Sequence, residues 1–127
     1  MRRTTGNRRA WAEFGGLLRE ARELRGTESR EFSLRRVAQR IDVEPAYLSK
    51  IERGEVAPPS EEKIRALARE LDQDPDVLLA VAGKVSEELR EIIRRRPREF
   101  GELLRQLRNA PDHAILRIAR QVRDGKW

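Results

Sequence analysis

The sequence predicts an all-α protein, and three observations lead there. Apolar residues recur every three or four positions from Phe14 to Val122, the period of a helix with one buried face. No segment alternates apolar and polar residues as a half-buried strand would. Ser, Asp, Pro and Gly stand between the periodic stretches, where helices start and stop.

Each element follows from those signals. From Trp11 the helical period sets in, with Phe14 and then Leu17, Ala21 and Leu24 as the expected inward stripe. Gly26 is its stop, and the polar, aperiodic residues 26–32 predict a loop. Ser33 is an N-cap before a short helix in which Val37, Ala38 and Ile41 face inward. Asp42-Val43-Glu44 is a tight connection, because Asp tolerates the left-handed backbone of a turn. Pro45 suits the first position of the next helix, whose stripe is Tyr47, Leu48 and Ile51 and whose stop is Gly54. Pro58-Pro59-Ser60 is a stiff connector and cap. Glu61 and Glu62 then occupy a first turn, where the helix dipole favours them, ahead of Ile64, Leu67, Ala68 and Leu71. Asp74-Pro75-Asp76 opens a fifth helix with Val77, Leu78 and Val81 inward, ending near Gly83.

Three amphipathic stretches remain. Ser86 caps one with Leu89, Ile92 and Ile93 on a face, and Pro97 interrupts it. Phe100, Leu103, Leu104 and Leu107 form a second stripe. Pro111-Asp112 opens a last helix bearing Ile115, Ile118, Ala119 and Val122, closed by Gly125. They hold too little apolar material for a core of their own, so their expected use is pairing with a second copy of themselves. The chain thus divides into residues 1–10, a basic segment without periodicity expected to be a flexible arm; residues 11–83, a compact domain; and residues 84–127, a helical dimerisation region.

Composition narrows the function classes. The 127 residues carry a net charge of +6, no cysteine and one histidine, His113. Disulfide frameworks, thiolate metal sites and a serine–histidine triad are therefore not expected, nor is a metal or other cofactor, and an enzyme has no nucleophile–base pair behind it. No apolar run approaches the roughly 18 residues of a membrane span, and no apolar stretch follows the N-terminal arginines as in a secretory signal. The expectation is a cytoplasmic protein without a membrane partner. The charge is uneven: +4 over residues 1–10, −3 over 11–83 and +5 over 84–127. Within the acidic middle, residues 30–53 hold six basic and four acidic side chains, a modestly basic local face suited to a polyanion.

Two short helices joined by a tight turn are a helix-turn-helix candidate. The first must carry a small residue at the crossing, which Ala38 supplies, and the second must expose small or polar residues near its N-terminus. The run Leu48-Ser49-Lys50-Ile51-Glu52-Arg53-Gly54, placed after this turn and before Pro58-Pro59-Ser60, resembles the signature that closes the recognition helix in Cro/C1-type (XRE family) helix-turn-helix regulators of bacteria and phages. The resemblance spans residues 14–83 and implies a five-helix, lambda repressor-like DNA-binding domain. It implies base reading in the major groove from Pro45, Ala46, Ser49 and Lys50, with Lys50 donating to guanine and Pro45 and Ala46 offering only apolar contact. It implies DNA backbone contact from Ser33 and Leu34 through helix N-terminal amides, and a structural ion pair between Arg22 and Glu52. Arg30, Arg35, Arg36 and Arg53 are further candidates for phosphate contact. Asp42 stands where the family's turn carries glycine, and Leu34 where many members carry glutamine.

The function expected is a sequence-specific, homodimeric repressor of its own operon, bound to a palindromic double-stranded DNA operator with half-sites about 34 Å apart. The C-terminal helices would form the dimer. The chain also resembles small repressors encoded beside metallopeptidases in bacterial defence and mobile-element operons. That similarity raises an alternative, an antitoxin or protease-controlled repressor whose C-terminal helices engage a metallopeptidase or toxin.

Overall fold

The computed structural model describes the backbone of residues 2–126 and the side chains of residues 8–126. Among the described residues the chain is all-helical. In order, it runs α1 (Arg2–Gly26), a 3-10 turn (Arg30–Phe32), α2 (Leu34–Arg40), α3 (Pro45–Glu52), α4 (Glu61–Glu70), α5 (Pro75–Val81), α6 (Glu87–Arg95), α7 (Pro97–Leu107) and α8 (Asp112–Arg123). These elements fall into two compact units, Met1–Ser86 and Glu87–Trp127.

The first unit is built around one apolar cluster. Phe14 and Leu18 of α1 meet Val37 and Ala38 of α2, Leu48 and Ile51 of α3, Ile64, Leu67 and Ala68 of α4, and Leu78 and Leu79 of α5. Each fully buried aliphatic or aromatic side chain of this set contributes about 1.5–3 kcal/mol by leaving water. The caps that start the helices are made as their residues dictate. Ser33 Oγ accepts from the Arg36 amide at 3.2 Å, Ser60 Oγ from the Lys63 amide at 3.3 Å, and Asp74 Oδ1 from the Asp76 amide at 2.9 Å. The stops share one geometry. After α2, Asp42 takes φ 61°, and the amides of Asp42 and Val43 turn back to the carbonyls of Gln39 and Ala38. After α3, Gly54 takes φ 71°, and the amides of Gly54 and Glu55 return to Ile51 and Lys50. Both are the two-bond, left-handed helix stop that satisfies orphan carbonyls.

The structure corrects several expectations. The segment expected to be a flexible arm is helical from Arg2 onward and continuous with α1; the side chains of its first seven residues lie outside the described ones. The inward stripe of α1 is Phe14 and Leu18, with Leu17 and Ala21 only partly covered and Leu24 71% exposed. The rotation is set by Gly15. A Cβ there would stand 2.2 Å from the Ile51 carbonyl oxygen, so the backbones of α1 and α3 cross in near contact at that glycine. Tyr47 and Val77, expected inward, are exposed; α5 buries Leu78 as expected and adds Leu79, with Val81 partly buried. Residues 26–32 are not a plain loop. They contain the 3-10 turn, whose Phe32 packs against the core and carries the guanidinium groups of Arg25 and Arg40 at 4.6 and 5.5 Å from its ring centre.

The second unit is three helices without a buried residue among those described. Leu89, Ile92, Leu103, Leu104, Ile115, Ile118 and Val122 are exposed, and Ile93, Phe100 and Leu107 are half-covered. Glutamate–arginine pairs lace α6, with Glu87 held by Arg90 at 2.7 Å and by Arg94 at 2.8 Å.

Candidate nucleic-acid interface

The site is the α2–turn–α3 segment, and its geometry follows from the core beneath it. Leu48 and Ile51 anchor α3 on one face. Pro45, Ala46, Ser49 and Lys50 therefore fall on the others: Ala46 and Lys50 are exposed, Pro45 and Ser49 half-buried. Pro45 occupies the first turn of α3, where a missing amide costs nothing. A helix with small residues at its exposed N-terminal end can approach base edges closely.

Three interactions fix α3 relative to its neighbours. Arg22 of α1 binds Glu52 side-on, Nε to Oε2 at 2.7 Å and Nη2 to Oε1 at 3.0 Å, while its Nη1 donates to the Phe32 carbonyl at 3.1 Å. The two side chains are 12% and 4% exposed, so this is a nearly dry, bidentate pair. The Glu52 hydrogen bond raises the Arg22 pKa above its ordinary value, against the opposing effect of burial. Just beyond the same end of α3, Gly54 lies on α1, where a Cβ would meet the Ala12 Cα at 2.7 Å. At the turn, Lys63 of α4 donates through Nζ to the carbonyls of Ile41 at 2.8 Å and Asp42 at 3.3 Å. That places a cation on the C-terminal end of α2, where the helix dipole favours it.

The remaining candidate residues are distributed around this frame. Ser33 caps α2, and Leu34 packs its side chain against the core, leaving its amide at the helix start. Arg30 and Arg36 line a shallow groove of about 560 Å³ beside Ser29 and Ser33. Arg36 reaches Glu31 at 2.6 Å. Arg35 lines a separate cleft with Gln39, Glu44 and Pro45. The Arg30 and Arg35 side chains line these two clefts, and, after the hydrogen bond from Arg53, the exposed Lys50 ammonium helps to lower the pKa of the Glu55 carboxyl. Arg53 is differently placed: its Nε donates to Glu55 at 2.5 Å and its Nη1 to the Ser49 hydroxyl. No group of three His, Asp or Glu side chains among the described residues is arranged to hold a metal ion, and no described helix is long and apolar enough to cross a membrane.

Sequence reasoning missed Gly15, Glu55, Lys63 and the arginine stack on Phe32. Only Gly15 left a signal, since a glycine inside a helical pattern costs about 1 kcal/mol against alanine and calls for a packing reason.

Comparison with known proteins agrees with this geometry. Residues 13–81, more than half of the chain, match the family model described as a helix-turn-helix domain. No curated protein and no solved structure matches the chain. The matched span runs from just before Phe14 to the end of α5 and so takes in the whole apolar cluster with the turn at its surface. The α2–turn–α3 segment lies within the matched residues, and the chain belongs to the helix-turn-helix domain family.

Proposed function

We propose that the protein is an XRE-type, sequence-specific transcriptional repressor. In this reading it binds a palindromic operator in its own upstream DNA as a homodimer, with one α3 in the major groove of each half-site. The observation that carries it is the disposition of α3: Leu48, Ile51 and Glu52 are buried, and the faces left over present Pro45, Ala46, Ser49 and Lys50. Lys50 is the donor for a guanine edge, and Ser49 for a base or phosphate oxygen. Pro45 and Ala46 offer apolar surface to a thymine methyl, so hydrogen-bond readout is sparse and DNA shape contributes to selectivity. Ser33, the Leu34 amide, Arg30, Arg35 and Arg36 supply the backbone contacts that set register, while the Arg53 guanidinium is engaged by Glu55 and Ser49. The dimer is formed by α6–α8, none of whose described residues is buried.

Selection from a randomised duplex library, followed by binding to the protein's own upstream DNA, tests the reading. A selected palindrome should bind far more tightly than random duplex at 150–200 mM salt (about the range where nonspecific binding fades), with log K falling by about 0.9 per phosphate contact per log unit of salt. Equal binding of the two duplexes refutes it. Lys50→Ala should relax the selected sequence, whereas Arg36→Ala should weaken all duplexes alike.

The same unburied residues favour a second reading, in which α6–α8 engage a different protein, a metallopeptidase or a toxin, as in the repressors that the sequence resembles. Sedimentation equilibrium of the full chain separates the two. A dimer supports the first, and a monomer that still selects an operator half-site supports the second.

A further inference from the structure

We propose that Glu55 sets the specificity of DNA binding by holding Arg53 against Ser49 and away from phosphate. The inference rests on the DNA-binding reading above and adds a residue to it. Arg53 is the C-cap of the recognition helix, one turn beyond Ser49. Its Nε donates to Glu55 Oε2 at 2.5 Å, its Nη2 to Oε1 at 3.4 Å, and its Nη1 to the Ser49 hydroxyl oxygen.

The side edge of the guanidinium, Nε with Nη2, is the edge that would grip a phosphate in bidentate fashion, and here it is given to a carboxylate. The neighbouring edge is committed to Ser49 through Nη1. Ser49 thereby accepts one hydrogen bond and keeps its own proton to donate. Arg53 thus orients a hydroxyl placed to read bases, while Glu55 orients Arg53.

The carboxylate is not on a loose loop. The Glu55 amide is bonded to the Lys50 carbonyl at 2.9 Å, and the preceding Gly54 is seated on Ala12 of α1. The hydrogen bond from Arg53 also holds the Glu55 carboxyl below its ordinary range, so it stays ionised at neutral pH. Ser49 and Arg53 line a cleft of about 240 Å³ with Leu34 of α2, at the meeting of the two helices that face DNA.

An ionised carboxylate fixed at such a place affects the two binding modes unequally. Nonspecific binding is a sum of phosphate contacts, so it loses the Arg53 contact and meets a repelling charge. Specific binding draws on the oriented Ser49 hydroxyl and loses less. Discrimination rises because the wrong complexes are weakened.

The test uses the full chain, a selected palindromic duplex and random duplex, each titrated across a salt series. Glu55→Gln should raise affinity for random duplex several-fold and for the selected duplex less, and steepen the random-duplex salt slope by about 0.9 as Arg53 gains one phosphate. In the Arg53→Gln background, Glu55→Gln should no longer change the random-duplex salt slope. If Glu55→Gln moves both duplexes by one factor, or acts equally in the Arg53→Gln background, Glu55 works only by its own charge and the proposed role is overturned. A wild-type protein with no selected sequence overturns the DNA-reading function itself, and this role with it.

Discussion

Gly15 and Gly16 are neighbours in α1 with opposite surroundings. A Cβ at Gly16 meets nothing within 4 Å, whereas one at Gly15 lies 2.2 Å from a backbone oxygen of α3 and cannot be accommodated by a side-chain rotation. Gly16→Ala should therefore stabilise the protein by about 0.5–1 kcal/mol, the helix-interior gain of alanine over glycine. Gly15→Ala should destabilise it by about 1–3 kcal/mol, since the helices must part. Urea unfolding of the two variants measures the contrast, and equal effects would show that the crossing is not tight. The Arg22–Glu52 pair makes a similar point about single groups. Removing one partner leaves the other charge buried and costs more than the pair itself contributes, on the order of 3–5 kcal/mol where burial is complete. With Arg22 12% and Glu52 4% exposed, Arg22→Met should fall near the lower end of that range in urea unfolding. A loss near zero would mean that the pair is dispensable. The sequence motif pointed to this pair, but its third bond, to the Phe32 carbonyl, depends on a 3-10 turn that no residue pattern announced.

Helix ends were legible in the sequence, while helix rotations were less so. Caps and stops depend on a residue and its immediate chain neighbours, so Ser33, Ser60, Asp74, Asp42 and Gly54 could be placed from residue type alone. Which side of α1 faces inward depends on what lies across from it. The adjacent Leu17 and Leu18 serve either phase, and the close crossing at Gly15 chose Leu18. In α6, Glu87 in the first turn accepts hydrogen bonds from Arg94 and Arg90, in that order of effect, and these hold its carboxyl below the ordinary value of 4.5. A carboxyl whose pKa is lower in the folded state stabilises that state above the unfolded pKa and loses the effect as pH falls. The helicity of α6 should accordingly decline as pH drops from 4.5 through the lowered folded value, and Glu87→Gln should remove that part of the transition. Far-UV circular dichroism across the acid range reads it. An unchanged acid transition in the variant would assign the loss to other carboxyls.

At the level of the whole chain, the net charge of +6 is spread unevenly along the sequence. The reading domain sits in an acidic stretch with a small basic face. The C-terminal unit is basic and carries apolar stripes with no buried residue among those described. In the proposed dimer, operator affinity comes from two weakly basic faces acting together, so the link between subunits matters more than the charge of either. Truncation after Ser86 should give a monomer that binds the selected palindrome much more weakly than the full chain, while its half-site preference is retained. Sedimentation equilibrium and binding titrations check both halves of that statement, and a truncated protein that remains dimeric would place the interface elsewhere.

Local chemistry settled the all-helical class, the order of the helices, their caps and the tight turn ahead of α3. Each of these depends on residues within a few positions of one another, and a helix buries a face whatever lies opposite. Tertiary contacts settled features that local signals do not carry: the rotation of α1, the Lys63 clamp on the turn and the arginines stacked on Phe32, while the Glu55 carboxylate that holds Arg53 follows a turn seated on α1. Those features bring together groups remote in sequence or at a turn whose shape a neighbouring helix fixes. Their partners become known only when the chain is folded.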